Sequence, residues 1–124
     1  MEAKNNSKAK LHMSDSAAAP MLAALGSEVR LGLFRQLLRA GSEGVSVTGL
    51  QRISGIPPST LGHHVTALVS AGLVSQTRAR RELVCRAEYT DIRRLSAFLL
   101  TECCADAACA PDNKVLVKSE MVVA

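Results

Sequence analysis

The chain has 124 residues, 48% of them hydrophobic but only 2% aromatic, with a formal net charge of +4 and a sequence pI near 9.1. This length predicts one domain with a modest aliphatic core and excludes two. No apolar run approaches a membrane span, and the lysine-bearing start has no apolar stretch behind it, which predicts neither membrane insertion nor secretion.

Residues 1–19 are rich in Lys, Asn, Ser and Ala without periodicity and are expected to form a flexible arm. Pro20 suits the first turn of a helix, and Met21, Leu22 and Leu25 make a short apolar patch closed by Gly26. Ser27 is placed to cap the next helix, which turns Val29, Leu31, Leu33, Phe34, Leu37 and Leu38 inward and ends at Gly41. Gly41 to Val45 is expected as loop. Val47 to Ser54 reads as a short helix with Leu50 and Ile53 inward, and Gly55-Ile56-Pro57-Pro58 as a tight turn. A further helix is expected from Ser59 to about Ala71, closed by Gly72.

Leu73–Thr77 and Glu82–Ala87 are strand-like, and Arg78-Ala79-Arg80-Arg81 joins them as a hairpin. Asp91 is expected to cap or open a last helix, in which Ile92, Leu95, Phe98 and Leu99 recur at helical spacing. That helix fades near a run holding three of the four cysteines, Cys103, Cys104 and Cys109, followed by Pro111.

Helix, tight turn, helix and basic hairpin describe a mainly α winged helix-turn-helix with a small β-hairpin wing. The second helix of the pair is the one that enters the major groove. At about 100° per residue, Leu61, Val65, Leu68 and Val69 share one side of it, and Ser59, His63, Thr66 and Ser70 lie opposite. Short hydrogen-bonding side chains suit phosphates and base edges. Alone, that face is equally a solvated one; Arg78, Arg80 and Arg81 on the hairpin tilt the balance toward DNA. The candidate DNA contacts are Ser59, Thr60, His63, Thr66, Arg78, Arg80 and Arg81. The positive net charge agrees with such a polyanionic partner.

Three stretches carry a family resemblance. Ala24 to Leu31, Ile56 to Leu68 with its Ser-Thr-Leu-x-His-His core, and Ala71-Gly72-Leu73-Val74 are similar to the ArsR/SmtB repressors across roughly residues 20–100. The resemblance implies a homodimer joined through its first and last helices, and an imperfect palindromic DNA operator released when an ion binds. Gly62 stands where many relatives carry Ser. A Cys-Val-Cys pair before the turn, frequent in arsenic sensors of the family, is replaced here by Val45-Ser46-Val47-Thr48. A zinc site on the last helix would need histidine after Asp91, and none follows His64.

Cys103, Cys104 and Cys109 are therefore the candidate sensor ligands. Thiolates select soft ions, and three of them without a fourth ligand suit arsenite or antimonite, whereas structural zinc takes four. Some arsenical-resistance repressors resemble this pattern, with a vicinal cysteine pair and a third cysteine just past the last helix. In an unbroken helix Cys103 and Cys109 would point about 240° apart, so Cys109 has to fold back after the chain leaves the helix beyond Cys104. Mercury, cadmium or lead, and a redox or persulfide switch, use the same thiols. A thiol enzyme would need an activated cysteine, as at a helix N-terminus or in Cys-x-x-Cys; these cysteines end a helix, and no catalytic residues are expected. Cys85 is left outside the site as a small hydrophobe. The reading is a cytoplasmic arsenite-responsive repressor with an arm (1–19), a DNA-binding and dimerisation domain (20–103) and a sensor segment with tail (104–124).

Overall fold

The computed structural model describes residues 13–107. Helix α1 spans Asp15–Leu25 and α2 Glu28–Ala40; a 3-10 turn, Gly41–Glu43, leads into strand β1, Val45–Ser46. Then come α3, Val47–Ser54; α4, Pro58–Ser70; β2, Val74–Ala79; β3, Glu82–Ala87; and α5, Tyr89–Leu100. The strands form one antiparallel sheet in the order β1-β3-β2.

Serine side chains start three of the helices. Ser14, Ser27 and Ser46 accept hydrogen bonds from the backbone nitrogens of Ala17, Arg30 and Gly49 at 3.2, 3.3 and 3.0 Å, satisfying first-turn donors that have no intrahelical acceptor. Gly55 ends α3 in the left-handed region at φ +72°, and Pro58 opens α4 at a position where a missing N–H is harmless. The helix-turn-helix therefore has the expected bounds to within a residue.

The start of the chain departs from expectation. Composition predicts a flexible arm through residue 19 with Pro20 opening the helix, yet α1 begins at Asp15 and Pro20 lies inside it. The Ser14 cap, Asp15 in the first turn and the Ala17-Ala18-Ala19 run favour the earlier start. Burial of Met13 and Ala18 against the core adds to them. At the other end Asp91 neither caps nor opens α5; the helix starts at Tyr89, and Asp91 pairs with Arg94 at 3.3 Å within the first turns.

The core gathers Leu33, Phe34 and Leu37 from α2, Leu50 from α3, Leu61, Val65 and Leu68 from α4, and Leu73, Val74, Cys85 and Leu95 beyond. Three expected core residues are outside it: Val29 is 44% exposed, Leu31 41% and Ile53 55%. Apolar stripes marked on α2 and α3 from composition were wider than the faces these helices bury. Among the described residues no single helix is long and apolar enough to cross a membrane.

Candidate nucleic-acid interface and thiol site

Helix α4 is held by its apolar side. Leu61 is 0% exposed, with Val65 and Leu68 buried beside it. The opposite side carries Ser59, His63, Thr66 and Ser70, all exposed. Thr60 is also exposed and sits about 100° around the helix from Ser59, at the flank of that row. Partly buried His64 accepts a hydrogen bond at Nδ1 from Arg30 Nε, 3.2 Å away on α2. That bond places the remaining proton of the neutral ring on Nε2 and ties the reading helix to α2. Nothing local in the sequence announces it, because the two residues are 34 positions apart.

The wing is tighter than expected. Arg78 and Ala79 belong to β2, pairing with Leu83 and Glu82, so the turn is only Arg80-Arg81. Arg80 stands at φ +60°, a position that two-residue hairpins normally fill with Gly, Asn or Asp. Arg78, Arg80 and Arg81 are all exposed. The structure thus offers a polar helix face and an arginine-tipped hairpin joined through one core.

The thiols lie beyond the last helix. Helix α5 ends at Leu100 and the chain continues as turns through 106, so it leaves the helix before Cys103 rather than after Cys104. Cys104 adopts φ +61°, redirecting the chain at the vicinal pair. The Cys103 and Cys104 sulfurs are 3.7 Å apart. Two sulfurs held about 2.3 Å from one ion at a tetrahedral angle lie about 3.8 Å apart, so this spacing can chelate. Cys104 is in the disulfide form, so it must be reduced before it can bind an ion. Cys109 lies outside the described residues, and among those described no three His, Cys, Asp or Glu side chains form a metal-binding group.

Cys103 also borders a cavity of about 610 Å³ between the start of α1 (Met13, Ser14, Asp15), the end of α5 (Phe98) and the turn after it (Glu102).

Cys85 is a separate case. It is wholly buried in β3, with Gln76 Nε2 donating to its sulfur at 3.6 Å. Burial raises its pKa above the ordinary 9.0, and the Gln76 bond offsets part of that. A thiol whose pKa is higher folded than unfolded contributes stability that is full below the unfolded value and lost as pH rises through the folded one. Urea unfolding should therefore show stability falling above about pH 9, and Cys85→Ala should flatten that fall. An unchanged alkaline slope would contradict this.

Comparison with known proteins agrees with the architecture. A helix-turn-helix domain family matches residues 25–77. An ArsR-like transcriptional regulator from Rhodococcus sp. RHA1 superposes with a TM-score of 0.63 at 22% identity, over 86% of this chain and 92% of that one. The homodimeric winged helix-turn-helix DNA-binding domain from Mycobacterium bovis gives 0.56 at 24%, over 76% and 88%. The transcriptional repressor BigR from Xylella fastidiosa gives 0.50 at 29%, over 84% and 93%. No curated protein matches by sequence.

Proposed function

We propose that this chain, a helix-turn-helix protein with the fold of the ArsR-family transcriptional regulators, is a homodimeric repressor of the cytoplasm that leaves its operator when trivalent arsenic binds Cys103, Cys104 and Cys109. The DNA half of the reading rests on the helix-turn-helix match and on the exposed row of α4 beside the arginine-tipped wing. Repression is supported by the likeness to the Xylella fastidiosa repressor. Dimerisation is supported by exposed Leu22 on α1 and Leu99 and Leu100 on α5, a face that a second copy would cover, and by the homodimeric Mycobacterium bovis domain. A two-fold dimer presents its reading helices to two half-sites, which makes the operator an imperfect palindrome.

The observation that carries the effector assignment is the adjacency of Cys103 and Cys104 on an exposed turn beyond the last helix, a pair that reduction of Cys104 frees to chelate. Arsenite exchanges three hydroxyl groups for three thiolates; the thiol protons leave with them as three waters. Drawing Cys109 onto the vicinal pair reshapes the end of α5. Cys103 also borders the cavity at the start of α1, and α1 packs against both α4 and α5. A change at the thiols thus has a contiguous route to the reading helix.

The disulfide form of Cys104 favours one second reading, a thiol redox switch on the same DNA-binding dimer. The two separate in one titration. A duplex is first selected from a random pool by the reduced protein. Bound duplex is then followed by fluorescence anisotropy as arsenite, antimonite, cadmium, mercury, lead, zinc or diamide is added. Arsenite should release the DNA at about one equivalent per site with reductant present. Release by diamide alone would replace arsenic sensing with the redox reading, and release by cadmium, mercury or lead but not arsenite would reassign the ion.

A further inference from the structure

The Arg86 guanidinium, on the wing, is committed to partners within the protein. Its Nε donates to the Ser42 carbonyl at 2.8 Å, and its Nη1 donates to the Thr77 hydroxyl at 2.5 Å. Ser42 belongs to the 3-10 turn after α2, Thr77 to β2, and Arg86 itself to β3, where it pairs with Ser75. One planar group with fixed donors thus bridges the outer strand of the wing and the end of the helix behind it.

The surroundings are built to admit this bridge. Gly44 follows the 3-10 turn at φ +72°; a Cβ there would stand 2.4 Å from the Cys85 carbonyl and 2.7 Å from Arg86 Cγ. Only glycine lets the chain pass so close under the arginine. A few residues on, the Tyr89 hydroxyl donates to the Leu38 carbonyl at 3.1 Å, near the C-terminus of α2. The wing is therefore fastened at its root behind the end of α2, while its tip, Arg80-Arg81, is exposed.

We infer that Arg86 is a positioning residue for DNA binding: it sets the angle of the wing, so that Arg78, Arg80 and Arg81 meet the duplex while α4 is seated in the groove. This rests on the DNA-binding reading above. It makes the contribution of Arg86 conditional on the arginines at the tip. Long, mobile hairpins lose affinity to the ordering of side chains and backbone on binding, and a clamp made before DNA arrives reduces that loss.

A double-mutant cycle tests it. With the duplex selected from a random pool by the wild-type protein, Arg86→Ala should weaken binding about tenfold. In the Arg78→Ala/Arg80→Ala/Arg81→Ala background the same change should cost less than twofold, because no wing arginine is left to aim. Damage spread through the fold would lower affinity equally in both backgrounds, and a direct phosphate contact from Arg86 would also persist in the second; either result overturns the inference, as does full affinity in Arg86→Ala. Thr77→Val, which removes only the outer end of the bridge, should show the same dependence with a smaller loss, and it serves if Arg86→Ala fails to fold. Failure of the wild-type protein to select any duplex would overturn the DNA reading itself, a result distinct from uncoupled Arg86.

Discussion

The Cys103→Ser/Cys104→Ser protein should stay on its operator at arsenite concentrations that clear the wild-type protein. Two of the three proposed soft ligands would be removed, and hydroxyls do not replace thiolates toward a thiophilic ion. The release midpoint should rise at least a hundredfold, about 2.7 kcal/mol of effector binding. Affinity without arsenite should stay within about twofold, because both residues are exposed on a turn past α5 and hold no part of the core. Cys109→Ser should show the same pattern. Cys85 is buried in the sheet, so Cys85→Ala should leave the arsenite midpoint where it was. Operator binding by anisotropy reads all four proteins, and arsenite release of the double variant at the wild-type midpoint would place the site elsewhere.

The second large effect is expected at the wing. Replacing Arg80 and Arg81 together by alanine should weaken operator binding about tenfold to hundredfold, 1–3 kcal/mol. It should also reduce the slope of log affinity against log salt by about two, one for each lost phosphate contact. Arg80 allows a sharper separation of stability from binding. It sits at φ +60°, where an L residue costs about 1–2 kcal/mol relative to a relaxed backbone. Arg80→Gly should raise the melting temperature while lowering DNA affinity. Affinity that is unchanged or raised in Arg80→Gly would mean that the charge at the turn has no role in binding, and an unchanged salt slope in the double variant would remove the wing from the interface.

What could be read in advance follows the range of the signals. Ser27, Gly55, Pro58 and Gly72 act on the backbone within a few residues of themselves, so the helix-turn-helix was legible from them. The face of α4 was equally plain, because Leu61, Val65 and Leu68 repeat at helical spacing and the structure buries each of them. The start of α1 is not legible locally: Pro20 is a strong local signal, and the cap at Ser14 together with the burial of Met13 and Ala18 outweighs it. Strand β1 is two residues long and exists only by pairing with β3, Val45 opposite Cys85 and Ser46 opposite Val84; no local pattern encodes it. Ile53 was placed inward by spacing, yet whether a neighbour covers that side of α3 depends on the rest of the fold. The Arg30–His64 and Arg86–Ser42 bonds span 34 and 44 positions and were invisible for the same reason. At the thiols, the requirement that the chain leave the helix was legible from rotation alone, and the break comes earlier, after Leu100.

The proposed sensor holds one arsenic atom through three cysteine sulfurs of this chain. X-ray absorption at the arsenic edge, on the reduced protein loaded with one equivalent of arsenite, tests it most directly. The expected first shell is three sulfurs and no oxygen, falling to two sulfurs and one oxygen in Cys109→Ser. A wild-type shell containing oxygen, or a three-sulfur shell that survives Cys109→Ser unchanged, would contradict it.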